Sequence, residues 1–244
     1  MSRLPKAPLL EVLFELRWDA SSDKEKKDYQ YLHGDLFNTL KEKYPFRELI
    51  IPGQIPIEAY FNQVAHRFRA SSNSYPLVQV GPGIFTVNTV EANYIWQDYQ
   101  SWVIDAVDKL ISLESYNKEL PISLALKYFD FIPFDFSKND IKDFLKDNLH
   151  INIKQDFYKN KYPPYSINLG FIYGTEEGVL NIAINRGGIN NKEPKEGIII
   201  QIEVTQQGVQ AKIPEVSRWL NAAHLLTSET FSEMTKGKLQ ESFK

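Results

Sequence analysis

The side chains that most often ligate metals or exchange protons are few in this chain and widely separated. There is no cysteine, and the histidines show neither the spacing of a metal site nor an HExxH motif. GxSxG and protein-kinase motifs are also absent. The sequence thus indicates no catalytic residue, no metal site and no cofactor, and it favours a protein that is not an enzyme. The four histidines are His33 and His66, predicted on the surface, His150, and His224, predicted to pack or cap within the last helix.

Two short segments resemble parts of catalytic or phosphate-binding sites. Asp130 and Asp135 lie in the aromatic run FDFIPFDF, and paired carboxylates can carry out acid–base chemistry. Pro133 separates them, which favours a turn at a strand end instead. Arg186-Gly187-Gly188 follows a strand pattern, but it lacks a Walker or GxGxxG motif and no helix pattern follows. Residues 186–197 are therefore interpreted as a polar, mobile loop.

The best candidates for a binding surface are polar side chains that alternate along the predicted strands. Arg67 and Arg69 share one strand face and could hold a phosphate or a carboxylate. Amides beside a phenylalanine could bind bases or peptide groups. Any antiparallel sheet with one face in water has a similar composition, so that alternative stays open. The predicted binding residues are Arg67, Arg69, Lys127, Phe129, Asn168, Asn181, Asn185 and Gln201.

The predicted strands and helices that would position these residues occur in the same order in both halves of the chain. Leu10–Trp18 and Ile122–Phe131 alternate as long half-buried strands. Each precedes a short helical pattern, several short strands and a longer amphipathic helix. This order predicts a duplicated β-α-ββββ-α unit, over residues 1–118 and 119–244, packed as one continuous α+β domain. The sheet would be mostly antiparallel, with helices on one face and the other face open. The TATA-binding protein and helix-grip folds share this layout, which by itself implies no function.

The individual segments are predicted from hydrophobic periodicity and turn residues. Helical stripes run from Tyr29 to Tyr44, from Ile95 to Leu113, from Ile141 to Leu145 and from Val216 to Met234. The predicted strands of the first half are Ile55–Phe61, Val64–Ala70, Leu77–Val80 and Ile84–Val90; those of the second half are Ile151–Tyr158, Tyr165–Tyr173, Val179–Asn185 and Ile198–Thr205.

Composition limits the classes of function. The 244 residues carry a net charge of -3 with no basic or acidic tail, which argues against an electrostatic grip on nucleic acid. The absence of cysteine is compatible with a reducing cytosol. No signal peptide and no apolar run long enough to span a membrane are present, so we expect a soluble cytoplasmic protein.

The opening segment Pro8–Trp18 (PLLEVLFELRW) resembles the N-terminal signature of a sporadically distributed family of uncharacterised bacterial proteins. Leu77–Gly81, Phe85–Asn88, Tyr94, Trp96, His224, Phe231 and Phe243 fit the same family. Leu126–Ile132 resembles its central strand, where the usual pattern is Arg-Tyr-Ile-Asn-Arg-Ile; here Lys127 replaces the first arginine, and Asp130 and Phe131 replace the Asn-Arg pair. The resemblance implies no catalytic residues. Its patchy distribution is typical of antiphage-defence and toxin–antitoxin operons.

The leading hypothesis is a non-enzymatic recognition or scaffold subunit that acts with a protein encoded nearby. One alternative is nucleic-acid binding through the open sheet face. Another is a small-ligand sensor with a cleft between sheet and helices, where Trp18, Trp96, Trp102 and Tyr128 cluster by pattern, although these aromatic residues would also suit a plain core. An uncovered sheet edge would make a homo-oligomer reasonable.

Overall fold

A computed structural model describes residues 6–90, 94–157, 164–189 and 195–244. The strands are β1 Leu9–Trp18, β2 Phe46–Leu49, β3 His66–Arg69, β4 Leu77–Gly81, β5 Ile84–Val90, β6 Ile122–Pro133, β7 Asn168–Thr175, β8 Gly178–Ile189 and β9 Lys195–Val209. The helices are α1 Asp23–Leu40, α2 Trp96–Ile111, α3 Ile141–Leu149, α4 Ile213–Thr235 and α5 Lys238–Ser242, with a 3-10 turn at Ile57–Tyr60. Within the described residues, no helix is both long and apolar enough to cross a membrane.

All nine strands form one antiparallel sheet in the order β2-β3-β4-β5-β1-β6-β9-β8-β7. The two long strands recognised from their alternation, β1 and β6, pair at its centre, with Phe14 opposite Leu126. The strands of the first half therefore lie on one side of this central pair, and those of the second half lie on the other side. The predicted α+β class with an antiparallel sheet is confirmed.

One face of the sheet carries the helices and the hydrophobic core. Val12, Phe14 and Leu16 of β1 are fully buried there, as are Leu36 of α1 and Leu220 of α4. Ser22 caps α1 by accepting a hydrogen bond from the Glu25 N–H, and Asp140 caps α3 in the same way. Because side chains alternate along a strand, the second row of each strand points to the other face. We call that side the helix-free face.

The two halves differ in their strands. The first half has four strands between its helices, and the second half has three among the described residues, so the duplication of a complete β-α-ββββ-α unit stays a prediction. Residues 151–157 do not form the predicted strand, because Ile151 and Ile153 pack on the core from an irregular segment; Tyr158 lies outside the described residues. The proposed boundary after residue 118 falls in the connection between α2 and β6.

Two further segments differ from the sequence prediction. The predicted strand Ile55–Phe61 contains a 3-10 turn, since Pro56 has no N–H to donate to a strand ladder. The predicted loop at 186–197 is largely paired strand, with Gly187 opposite Gly197, and residues 190–194 lie outside the described range. The short edge strand β2 carries no long alternating pattern and was not predicted.

Candidate functional site

The helix-free face carries the predicted binding residues. Lys127 and Phe129 lie on the central strand β6, and Gln201 on β9 is directly opposite Phe129. Asn181 is opposite Glu203, next to this centre. The others lie toward the two ends of the sheet: Arg67 and Arg69 on β3, and Asn168 opposite Asn185 on β7 and β8.

A chain of side-chain hydrogen bonds crosses the first half of this face. Arg67 Nε donates to Gln79 Oε1 at 2.9 Å. Gln79 Nε2 donates to Thr86 Oγ1 at 2.9 Å and to Asn88 Oδ1 at 3.1 Å. Asn88 Nδ2 then donates to Glu11 Oε1 at 2.6 Å. The middle of the chain is well shielded from water, since Thr86 is only 2% exposed. These polar side chains are therefore fixed in one arrangement.

Ion pairs hold the side chains of the helix-free face at the centre of the sheet. Lys127 Nζ lies 3.5 Å from Glu15 Oε2 and 3.2 Å from Glu203 Oε1. Arg17 Nε donates to Glu15 Oε1 at 2.6 Å. Burial raises the pKa of Glu15, but the bonds from Arg17 and Lys127 outweigh it, so the net pKa is lowered. Gln201 extends the ion pairs by donating to Glu203. Together, the hydrogen-bonded chain and the ion pairs form what we call the polar row: Arg67, Gln79, Thr86, Asn88, Glu11, Arg17, Glu15, Lys127, Glu203 and Gln201.

Arg67 and Arg69, whose spacing suggested a shared anion site, have different partners in the structure. Arg67 is held by Gln79, whereas Arg69 Nη1 donates to the Ser74 carbonyl at 2.9 Å, and its Nε lies 3.3 Å from a carboxylate oxygen of Glu48. Arg69 is also only 7% exposed. Arg69 is therefore paired with a carboxylate, whereas Arg67 donates to a neutral amide.

A second polar cluster lies on the helix side of the sheet, where Tyr94, Trp96, Tyr128 and His224 meet. The hydroxyls of Tyr94 and Tyr128 are 2.9 Å apart, and Tyr128 Oη lies 2.8 Å from His224 Nδ1. The indole of Trp96 stacks on the His224 ring at 3.7 Å. All four side chains are partly exposed. We call these four residues the tyrosine–histidine cluster.

The sequence anticipated only part of this cluster. It grouped Trp96 with Tyr128, but Trp18 packs edge-on against Tyr116 at 5.3 Å instead. Trp102 is partly buried against the hydrophobic core. His224 does pack within the fold, as expected, and it is also hydrogen-bonded. Burial lowers its pKa to about 4, so the imidazole is neutral at pH 7.

Asp130 and Asp135 have different environments. Asp130 is inside β6, opposite Leu9 and Ile200, and is only 5% exposed, so the interpretation as part of a strand-end turn is wrong for this residue. Burial raises its pKa to about 7. Asp135 does lie in an exposed turn, where hydrogen bonds from Ser137 and Lys138 lower its pKa to about 2. The pKa values of the two carboxyls are thus shifted in opposite directions.

The prediction that His33 and His66 lie on the surface is wrong for His66, which is 8% exposed. The two rings stack at 4.1 Å, and Tyr29 Oη lies 3.1 Å from His66 Nδ1. Arg47 donates to His33 Nδ1 at 2.7 Å. Burial, helped by the neighbouring His33 and the charge of Arg47, lowers the pKa of His66 to about 4. No group of three potential metal ligands occurs among the described residues.

We expect His66 to make the protein sensitive to acid. Its pKa is about 4 in the folded state and 6.5 in the unfolded state, so the unfolded state binds the proton first as the pH falls. Stability due to this residue is therefore present above pH 6.5 and declines toward pH 4, by about 2 kcal/mol between pH 8 and pH 5. Urea titrations across this range should show a smaller decline in His66→Gln. An equal decline in both proteins would contradict the assignment.

Comparisons with protein-family models, with curated proteins and with solved structures found no match to this chain.

Proposed function

We propose that this chain is a non-enzymatic recognition subunit that binds a protein partner on the helix-free face of its sheet. The polar row is the observation that carries this proposal. A solvated sheet face usually has freely rotating polar side chains, whereas these are held by one another before any partner arrives. Such preorganisation lowers the entropic cost of binding and favours a specific partner. The resemblance of the opening segment supports a cytoplasmic partner encoded nearby, in an antiphage-defence or toxin–antitoxin operon.

The charges on this face favour protein over nucleic acid. Lys127 is paired with Glu15 and Glu203, Arg17 with Glu15, and Arg69 with Glu48. A polyanion would have to compete with these carboxylates for Lys127, Arg17 and Arg69, and phosphate binding depends on cations that are free to neutralise phosphates. Arg67, whose partner is the neutral Gln79, is an exception on this face. A protein surface with its own mixture of charges and amides is better matched to alternating donors and acceptors.

The test is native mass spectrometry of the tagged protein after gentle purification from its own host. We expect one identified protein in stoichiometric amount. The variant Gln201→Arg places a long charged side chain at the centre of the helix-free face, and the neighbouring Glu203 can compensate its charge within the fold. This variant should lose the partner. Leu225→Arg is the matched control, because Leu225 is 58% exposed on α4, which packs on the other face of the sheet.

Two results would reject the proposal. One is the absence of any stoichiometric protein from the wild-type preparation. The other is a partner that both variants retain or lose equally, which would place binding away from this face.

Small-ligand binding is the second candidate, and the tyrosine–histidine cluster favours it. A neutral imidazole stacked on an indole, with two tyrosine hydroxyls in line, offers hydrogen-bond donors and acceptors beside an aromatic surface. The same spectra distinguish this candidate, because a retained metabolite adds a few hundred daltons at most and would be unaffected by Gln201→Arg.

A further inference from the structure

The two outer edges of the sheet are protected to very different degrees. Strand β2 at one end has only four residues, including Arg47 and Glu48. Strand β7 at the other end has eight residues, NLGFIYGT, with no charge and no proline. Its pairing with β8 runs without a bulge from Asn168 to Thr175, and no described strand pairs with its outer side. Natural sheets normally block such an edge with charges, prolines or bulges, because its free N–H and C=O groups can pair with another chain.

The side chains of β7 leave room for a neighbouring strand. On the helix-free face, Ile172 is 75% exposed and stands between Gly170 and Gly174. A Cβ at either glycine would meet no atom within 4 Å, so both positions are open. On the opposite side of the strand, Tyr173 is 49% exposed. This edge therefore combines backbone groups that no described strand pairs with, an exposed apolar residue and space beside it.

We propose that two copies of this chain associate through β7, antiparallel to one another, about a twofold axis at Ile172. A twofold axis at this residue sets Ile172 against its own copy and Gly170 against Gly174 of the second copy, so each isoleucine has open space beside it. A charged residue near such an axis would meet the same charge on the other chain, and β7 has none. The strand is thus complementary to itself.

This dimer has a consequence for the helix-free face. When edge strands pair antiparallel, the twofold axis runs perpendicular to the sheet, so both helix-free faces point to the same side. The two polar rows then lie on the same side of one continuous sheet. They can bind two copies of a partner, or one symmetric partner, with increased avidity. The dimer itself does not depend on the proposed function, since it requires no partner protein.

Sedimentation velocity of the purified chain from low to high micromolar concentration tests the association directly. A single strand pair is a small interface, so we expect a dimer with a dissociation constant in the micromolar range. The sedimenting mass should approach twice that of the monomer at the highest concentration. Ile172→Lys, which brings two ammonium groups together at the axis, should stay monomeric throughout, while Leu225→Lys should dimerise like the wild type. A wild-type protein that remains monomeric, or an Ile172→Lys variant that dimerises normally, would overturn the proposal.

Disulfide trapping gives an independent measurement, because the chain has no cysteine of its own. Ile172→Cys should form a disulfide-linked dimer under mild oxidation, since opposite residues in an antiparallel pair have Cα atoms about 4.5 to 5.5 Å apart. Leu225→Cys should remain monomeric on a non-reducing gel. Equal crosslinking of the two variants would indicate random collision and would contradict pairing through β7. Neither assay includes the partner, so failure here leaves the test of Gln201→Arg unaffected.

Discussion

Replacing Asp130 with asparagine is expected to increase the free energy of unfolding by about 4 kcal/mol at pH 8, using a pKa of about 7 in the folded state and 3.8 in the unfolded state. At pH 8 the folded protein must hold a charged carboxylate that is only 5% exposed. Asparagine has almost the same shape and carries no charge. The measurement is urea unfolding of both proteins, followed by far-UV circular dichroism.

The sign of this effect follows from the raised pKa. Above pH 3.8 the unfolded state releases the Asp130 proton before the folded state does, so the stability contributed by this residue is present at low pH and is lost as the pH rises through about 7. The advantage of Asp130→Asn should therefore decrease to about 2 kcal/mol at pH 5. An advantage that is the same at both values would mean that the carboxyl is already charged in the folded state at pH 5.

Asp135→Asn is the matched control, because it makes the same chemical change five positions along the same segment. Asp135 is exposed, and its pKa is lowered to about 2 by hydrogen bonds from Ser137 and Lys138. Its removal should slightly destabilise the protein at neutral pH, which is the opposite direction. If both variants were stabilised alike, a general effect of net charge would explain the result better than the burial of Asp130.

Asp130 interacts electrostatically with Tyr94 and Tyr128 of the tyrosine–histidine cluster. Burial raises the pKa values of Tyr94 and Tyr128, and a negative charge on Asp130 raises them further. Both hydroxyls therefore stay protonated at neutral pH and keep their ability to donate hydrogen bonds. Buried groups with such shifted pKa values occur more often at functional sites than elsewhere, which agrees with the second candidate function.

Strand periodicity explains why the helix-free face could be predicted from the sequence. Alternation along Leu10–Trp18 is a local property, and it assigns Glu15 and Phe14 to opposite faces without knowledge of any neighbour. The same rule, counted along Leu124, Leu126 and Tyr128, also places Asp130 on the buried row. The alternation therefore predicts a buried strand position for Asp130, whereas the nearby Pro133 is typical of a turn.

The contacts between strands could not be predicted in this way. Asn88 donates to Glu11 across 77 positions of sequence, and Tyr128 meets His224 across 96. Such pairs depend on the order and register of the strands, which many combinations of alternating segments would satisfy equally. The burial of His66 has the same origin: β3 is only four residues long, and its inner face is defined by α1 packing against it.

Replacing Lys127 with methionine is expected to destabilise the protein by about 3 kcal/mol at pH 7. The Lys127 side chain is 18% exposed, and those of Glu15 and Glu203 are 10% and 14% exposed. Methionine fills a similar volume but leaves both poorly hydrated carboxylates without the ammonium group, so that Glu15 keeps only Arg17 as its cationic partner. The free energy of unfolding from urea titration measures the loss.

Two further variants separate lost charge pairing from lost packing. Lys127→Arg keeps a cation within reach of both carboxylates and should retain most of the stability; it also restores the arginine usual in the central strand that this segment resembles. The double variant Lys127→Met with Glu15→Gln removes one carboxylate along with the cation, so its destabilisation should be smaller than the sum of the two single losses. Additive losses would show that Lys127 and Glu15 do not stabilise one another. In that case the centre of the polar row would be a set of independently solvated side chains, and the preorganisation argument for partner binding would lose its main support.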